Sequence, residues 1–393
     1  MYDNEMEKLR KLYNCGCFVP EFYSKKIKGI SSFESYENFC NIPFTFKDDV
    51  RAVPAEQRTT CKRADVLGLF SSSGTTGDKT YYYYSHKDRN VHSEFVKAFF
   101  TELSITDEDI GGIFAPIGTG VMAHTMIWEF DIMGAGYVNC PVPSPENIVS
   151  LLKIAPITAA ATRPNILSTI AYRKEWIKAA QSSSVKKLLL GGGFLSESRR
   201  KMLENIWNAE CYNLFGMSEM FGPMAAECKC KNGLHYLDKY LMIEIIDPET
   251  GLPVPMGETG IAVYTTLWDK GFPLLRYWTD DIMSISCEKC ECGSELPRIF
   301  YHGRIADSIK IGSRYVFPKQ LEEILIDKGF IYDYKAVMND GKVTLDIEKT
   351  PELEMDIQTI NEIKELFNGA DIDIQFLNPG QLEYFGFGKR FFM

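Results

Sequence analysis

Short apolar runs that break at glycine, each followed by apolar residues three and four apart, recur through the first half of the chain. The aromatic run at 81–84 predicts a strand, and 92–103 has the spacing of an amphipathic helix. The alternation continues through 111–116, through 157–161 with a helix after Pro164, and through 185–190 into Gly191, Gly192 and Gly193. Such strand, glycine turn and helix units predict an α/β fold with a mostly parallel sheet flanked by helices. In that architecture ligands sit beyond the carboxyl ends of the strands, where the three glycines fall. Residues up to about 51 read as a helical, aromatic-rich layer in which Pro43 punctuates and Thr45 is placed to cap a following helix. From 241 the texture changes: 241–247 alternates, 248–251 is a turn and 260–266 is strand-like, so a β-rich subdomain is expected. Past Gly303 the pattern predicts helices over 318–328 and 356–367 and strands over 335–337, 343–347 and 372–376, a compact α+β unit. The expected domains are therefore 1–302 and 303–393.

Composition narrows the class. The 393 residues are 45% hydrophobic and 24% charged, which suits one large domain plus a smaller one and excludes a disordered chain. A net charge of −10, with Lys and Arg scattered, argues against a nucleic-acid surface. Residues 1–6 have neither a basic start nor an apolar core, and no later stretch approaches the roughly 18 apolar residues of a spanning helix. No membrane partner and a cytoplasmic location are the expectations. Eleven cysteines, an odd number, then read as reduced thiols or metal ligands rather than a disulfide framework.

Four segments carry candidate chemistry. In 71–80, Ser72, Ser73, Gly74, Thr75, Thr76 and Gly77 offer main-chain N–H groups and hydroxyls with little side-chain bulk, a cradle for phosphate oxygens. Lys79 lies two residues past the second glycine, so this is not the Walker spacing; a plain Ser/Gly/Thr surface loop would have the same composition. In 212–219, Asn213, Phe215, Gly216, Met217, Ser218 and Glu219 follow a strand and bring together an aromatic, a close-approach glycine, a hydroxyl and a carboxylate. An aromatic can stack on a purine, and a glutamate can hold Mg²⁺ against phosphates. The third segment, 276–281, supplies Asp281 and Asp280 for the hydroxyls of a ribose, and the fourth, 303–310, supplies Arg304 and Lys310. Either of these two by itself reads as a solvated charged turn.

Taken in this order, the four segments resemble the adenylate-forming superfamily of acyl-CoA synthetases and adenylation domains. The resemblance covers nearly the whole chain. Residues 43–51, 72–77, 215–223 and 272–277 are similar to its phenylacetate–CoA ligase and coenzyme F390 synthetase branch. It implies a large N-terminal adenylating domain and a small mobile C-terminal domain. It also implies a two-step reaction: a carboxylic acid and ATP give acyl-AMP and pyrophosphate, then a thiol, CoA or a carrier-protein pantetheine, displaces AMP. Carried onto this sequence, Ser72–Gly77 would cradle the β- and γ-phosphates, Phe215 would stack on adenine and Ser218 would touch the α-phosphate. Glu219 would bind Mg²⁺, Asp281 the ribose, and Arg304 the ribose and phosphate, with a hinge near Ala306 and Asp307. Lys389 would be the C-terminal adenylation lysine, a mobile ammonium that neutralises charge developing at the α-phosphate; a basic residue on a frayed tail is the alternative. Gly191–Gly193, Met217 and the helix bearing His124 and Trp128 would border an acyl pocket suited to an aromatic acid, although both side chains also suit ordinary packing. The branch often pairs as homodimers.

Two cysteine knuckles stand apart from this. Cys228 and Cys230 precede His235, and Cys287, Cys290 and Cys292 cluster later, more soft ligands than one tetrahedral Zn²⁺ needs. The branch resemblance selects Cys228, His235, Cys290 and Cys292 for a structural zinc, with Cys230 and Cys287 as spares; scattered structural thiols are the alternative reading. Trp278, Asp280 and Gly193 depart from the family pattern, and Asp280 adds a like charge beside Asp281. Those departures keep a degenerate nucleotide-binding protein open beside the acid–CoA ligase and the stand-alone carrier-loading or amide-forming enzyme.

Overall fold

The computed structural model describes residues 2–17, 20–28, 33, 35–72, 79–329, 333–349 and 352–382. Two compact units emerge. One comprises Met1–Ser104, Gly118–Thr125 and Phe215–His302, the other Ile105–Ile117, Met126–Leu214 and Gly303–Met393.

The second unit carries the parallel strands. Ile110–Ile113 pairs in parallel with Gly136–Asn139 on one side and Ala159–Thr162 on the other, followed by Lys187–Gly191 and the first residues of Glu210–Met217. Ala159–Thr162 is buried throughout, and its small side chains let helices approach the sheet. Gly111 is required by a close contact, since a Cβ there would lie 2.5 Å from the Phe130 ring. Phe114, Ile157, Leu188, Leu190, Leu203 and Trp207 fill the core beneath the helices. Ser196 caps helix Glu197–Trp207 by accepting from the Arg199 amide, and left-handed Asn208 ends it.

Later in the same unit, Lys342–Glu348 pairs antiparallel with Tyr334–Asn339 and parallel with Asp371–Leu377. Helices Pro318–Asp327 and Ile357–Leu366 cover that sheet around Leu321, Val343, Leu345 and Ile363. This region makes polar contacts with helix Glu197–Trp207 and with the 3₁₀ turn Thr169–Tyr172. Arg199 pairs with the fully buried Glu322, the Ser198 hydroxyl donates to Asp327 at 2.6 Å, and Tyr172 donates to Glu348 at 3.1 Å.

The first unit is antiparallel, with strand order Leu241–Ile246, Gly260–Thr266, Tyr277–Ser286, Arg298–Arg304, Leu234–Tyr236, Gly222–Glu227. A separate hairpin, Val66–Ser71 with Tyr81–Ser85, leads into helix His86–Glu102. That helix starts earlier than the apolar spacing predicts because Ser85 and Asp88 form a capping box. Thr45 does not cap the next helix. Its hydroxyl donates to the Leu275 carbonyl at 2.8 Å and its backbone bridges Tyr277, while Asp49 accepts from the Phe46 amide in the capping role. A partner 230 positions away thus outweighs a local turn preference.

Arg276 ties these layers together. Its Nε and Nη2 donate to the two oxygens of buried Glu244 at 3.1 Å each, Nη1 reaches the Ile42 carbonyl at 2.7 Å, and the guanidinium lies 4.3 Å from the Phe44 ring. Burial pushes the Glu244 carboxyl up, and Arg276 opposes that shift. Arg276→Met should therefore cost about 3–5 kcal/mol in urea unfolding, because it strands a buried acid. Adding Glu244→Leu should recover most of that loss; a single-variant loss below about 1 kcal/mol would exclude the pair as a main tie.

Candidate functional site

Of the cradle, Ser72 lies among the described residues, whereas Ser73, Gly74, Thr75, Thr76 and Gly77 lie outside them, as does Lys389. The neck of the loop is closed. The Ser72 amide donates to the Thr80 carbonyl at 2.8 Å, and the Thr80 amide donates to Ser72 Oγ at 3.1 Å. Ser71 is tied to Thr119 through its amide at 2.7 Å and its hydroxyl at 2.9 Å.

Phe215, Gly216 and Met217 form the end of strand Glu210–Met217, which runs into a single 3₁₀ turn, Ser218–Met220. The chain then reverses through Phe221 and Gly222, whose φ values are 71° and 100°. The reversal is so tight that a Cβ on Gly216 would lie 2.2 Å from the Gly222 carbonyl oxygen. No residue with a side chain fits there. The turn carries Ser218 half-buried and Glu219 buried.

Glu219 Oε1 accepts from Tyr82 at 3.1 Å and from Tyr277 at 3.2 Å. Burial, then the charge of Glu219, pushes the Tyr82 phenol well above its ordinary range, so it stands as a proton donor. Lys270 is fully buried, its Nζ 4.7 Å from the Tyr84 ring and without a hydrogen-bond partner among the described residues. Burial lowers its pKa against the pull of Asp88, Cys61 and Glu219. The sequence reading gave no role to Tyr82, Tyr277 or Lys270. Tyr82 falls in the 81–84 run and Tyr277 in the 276–281 segment, but nothing in linear spacing marks two phenols that converge on one acid.

Phe215 and Tyr301, both half-buried, lie 5.5 Å apart between ring centroids at 38° and form an aromatic shelf. Tyr301 is a fourth residue to which the sequence assigns no role. Asp281 is buried and its amide donates to Thr279 Oγ1 at 3.1 Å. The departures at 278 and 280 have a local cause. The register against Gly260–Thr266 slips between Ile261 and Val263, Asp280 takes φ 62°, and its carboxylate accepts from the Trp278 indole at 2.8 Å. A β-bulge turns Asp280 to its neighbour, and Trp278 packs 5.0 Å from the Phe44 ring centroid.

Ser72, Phe215–Glu219 and Asp281 belong to the first unit; Gly191–Gly193, Asn213, Arg304 and Lys310 belong to the second. There Gly191 ends a strand, Gly192 and Gly193 are exposed, and Asn213 is half-buried within its strand. Arg304 ends strand Arg298–Arg304 before the 3₁₀ turn Ile305–Asp307, and Lys310 is exposed on the hairpin that follows. His124 bonds the Gly118 carbonyl at 2.9 Å and packs 5.1 Å from the Phe70 ring, contacts of the ordinary packing kind. Trp128 sits half-buried on helix Val121–Ile132.

All eleven cysteines are thiols. One ligand atom from each of Cys228, His235, Cys290 and Cys292 lies within 4.8 Å of the others, while Cys230 and Cys287 are exposed and outside the group. Cys228 Sγ is 3.8 Å from Cys290 Sγ, and Cys292 Sγ is 3.5 Å from His235 Nε2. His235 Nδ1 lies 3.0 Å from the Leu296 carbonyl, which leaves Nε2 facing the sulfurs. Burial lowers the His235 pKa and raises that of Cys228. Three sulfurs and one imidazole nitrogen fit a tetrahedral zinc.

An AMP-binding enzyme family model matches residues 24–265. The phenylacetate-coenzyme A ligase of Thermus thermophilus is 29% identical over 321 residues, 80% of this chain and 72% of the relative. The Escherichia coli ligase of the same name is 25% identical over 308 residues, 75% and 68% of the two chains. A 2-hydroxyisobutyryl-CoA ligase solved in the postadenylation state with 2-HIB-AMP has a TM-score of 0.82 at 18% identity, covering 99% of this chain and 88% of that one. The same ligase with 2-HIB-AMP and CoA in the thioesterification state has a TM-score of 0.67 at 19% identity, covering 98% and 88%. Among the described residues no helix is long and apolar enough to cross a membrane. The chain belongs to the AMP-binding enzyme family, in its phenylacetate-CoA ligase-like branch.

Proposed function

We propose that this protein uses ATP to activate a carboxylic acid as acyl-AMP and then passes the acyl group to CoA. The observation that carries this is the turn at Ser218–Met220, which follows the strand end bearing Phe215 and buries the Glu219 carboxylate, in a chain matched to phenylacetate-CoA ligases. In this reading adenine stacks at Phe215 and Tyr301, Asp281 takes the ribose, and Ser218 meets the α-phosphate. Ser72–Gly77 receive the β- and γ-phosphates. Asn213, Gly216, Met217 and Gly191–Gly193 line the nucleotide and acyl side. Glu219 suits Mg²⁺, an ion bound through one or two carboxylates together with phosphate oxygens, and the ion would neutralise charge on the departing pyrophosphate.

The domain division at 302/303 goes with this reading: the small domain brings Arg304, Lys310 and Lys389 to the nucleotide. An aromatic acid is the substrate class we favour, a homodimer the assembly and the cytoplasm the compartment, all three from the branch resemblance. Cys228, His235, Cys290 and Cys292 are assigned to a structural zinc on their donor set and mutual distances.

Pyrophosphate exchange against aryl and alkyl acids should give an acid-dependent signal, strongest with an aryl acid, and added CoA should yield the thioester by mass. ATP binding with no exchange for any acid would reject the enzyme reading, and exchange without a thioester would point to another acceptor. Lys389→Ala should lower exchange about 10²–10³-fold while sparing thiolysis of a supplied acyl-adenylate, as removal of a transition-state charge contact does. Unchanged exchange would remove Lys389 from the mechanism. Elemental analysis should find one zinc per chain, with chelation lowering the thermal midpoint; a zinc-free protein indifferent to chelator would sink the four-ligand site.

A further inference from the structure

The reading of Glu219 leaves two phenols without work. Tyr82 comes from strand Tyr81–Ser85 and Tyr277 opens strand Tyr277–Ser286, yet both hydroxyls donate to the same oxygen, Oε1, at 3.1 and 3.2 Å. Each phenol is itself held. The Tyr82 ring stacks on Phe272 with centroids 6.2 Å apart and lies 5.4 Å from the Arg58 guanidinium, and the Tyr277 backbone bridges Thr45. Two donors occupy the acceptor sites of Oε1, while no described residue hydrogen-bonds Oε2.

The consequence is geometric. The last torsion of a glutamate is broad and roughly two-fold, so an unrestrained carboxylate presents either oxygen, or both, to a cation. Magnesium demands near-ideal octahedral geometry and tolerates such latitude poorly. We infer that Tyr82 and Tyr277 are positioning residues that pin Oε1 of Glu219 and present Oε2 as a single-oxygen ligand to the magnesium of bound ATP. The inference rests on the proposed reading of Glu219 as the metal-facing acid, and deepens it. A phenol that only satisfied a buried acid would affect folding stability and leave metal affinity alone.

Hydroxyl-only deletions separate the two roles. Mn²⁺ binding in the presence of ATP, followed by the electron paramagnetic resonance signal of free Mn²⁺, reads the site without turnover. Tyr82→Phe and Tyr277→Phe should each weaken Mn²⁺ several-fold and the pair about tenfold or more, the scale expected for hydrogen bonds to a charged group. ATP binding without divalent cation should stay as in the unaltered protein. The Mg²⁺ concentration that half-saturates pyrophosphate exchange should rise in step, with the rate at saturating Mg²⁺ changed far less. On a Glu219→Gln background, whose own Mn²⁺ affinity is reduced, the phenylalanines should add nothing. Unchanged Mn²⁺ affinity in the folded double variant, or in both single variants if the double fails to fold, overturns the positioning role, as does a further loss on the Glu219→Gln background. If Glu219→Gln binds Mn²⁺ as well as the unaltered protein, the reading of Glu219 itself falls, and the two phenols fall with it.

Discussion

The approach of Gly216 to the Gly222 carbonyl is the constraint on which the candidate site depends. With 2.2 Å between that oxygen and any Cβ at 216, the chain can reverse within six residues only because 216 has no side chain and Gly222 takes φ 100°. The reversal decides what faces where. Phe215 remains at the strand end beside Tyr301, and Glu219 is carried down into the region where Tyr82 and Tyr277 meet it. A looser turn would let Glu219 reach water, and a carboxylate in water would need neither phenol.

Buried charge recurs and is met differently each time. Arg276 and Glu244 form a two-pronged pair with carbonyls completing the guanidinium. Among the described residues, Glu219 is met by neutral donors on one oxygen alone. Lys270 faces a ring and senses Asp88, Cys61 and Glu219 without a hydrogen bond to any described residue. A matched ion pair is a structural tie, because breaking it strands a charge. A carboxylate half satisfied by neutral donors is a different object: it keeps acceptor capacity for a further cation. That difference separates Glu244, a brace, from Glu219, a candidate ligand, although both are buried glutamates.

Much of the architecture was legible because it follows from local rules. Apolar runs broken at glycine gave the parallel strands through 187–191, and alternation gave the antiparallel strands from 241 onward. Thr45 shows where local rules lose: a hydroxyl well placed to cap a helix is taken by the Leu275 carbonyl, which no local window contains. Asp280, a like charge beside Asp281 in the sequence, is turned by a bulge so that its carboxylate accepts from the Trp278 indole. Spacing left five cysteine sulfurs in two knuckles open for one metal. The branch resemblance narrowed them to three with His235, and those four are the ones whose ligand atoms lie within 4.8 Å.

The sequence by itself determined the order of strands and helices, the glycine that lets the 215–222 turn close, and the residue types of a nucleotide site, because each rests on neighbours a few residues apart. Only the tertiary structure decided which oxygen of Glu219 is occupied, which cysteines meet, and that Tyr82, Tyr277 and Lys270 belong around one carboxylate. Those outcomes are set by distances between side chains some 50 to 190 positions apart, and such distances exist only once the first unit's hairpin, turn and antiparallel strands have packed together.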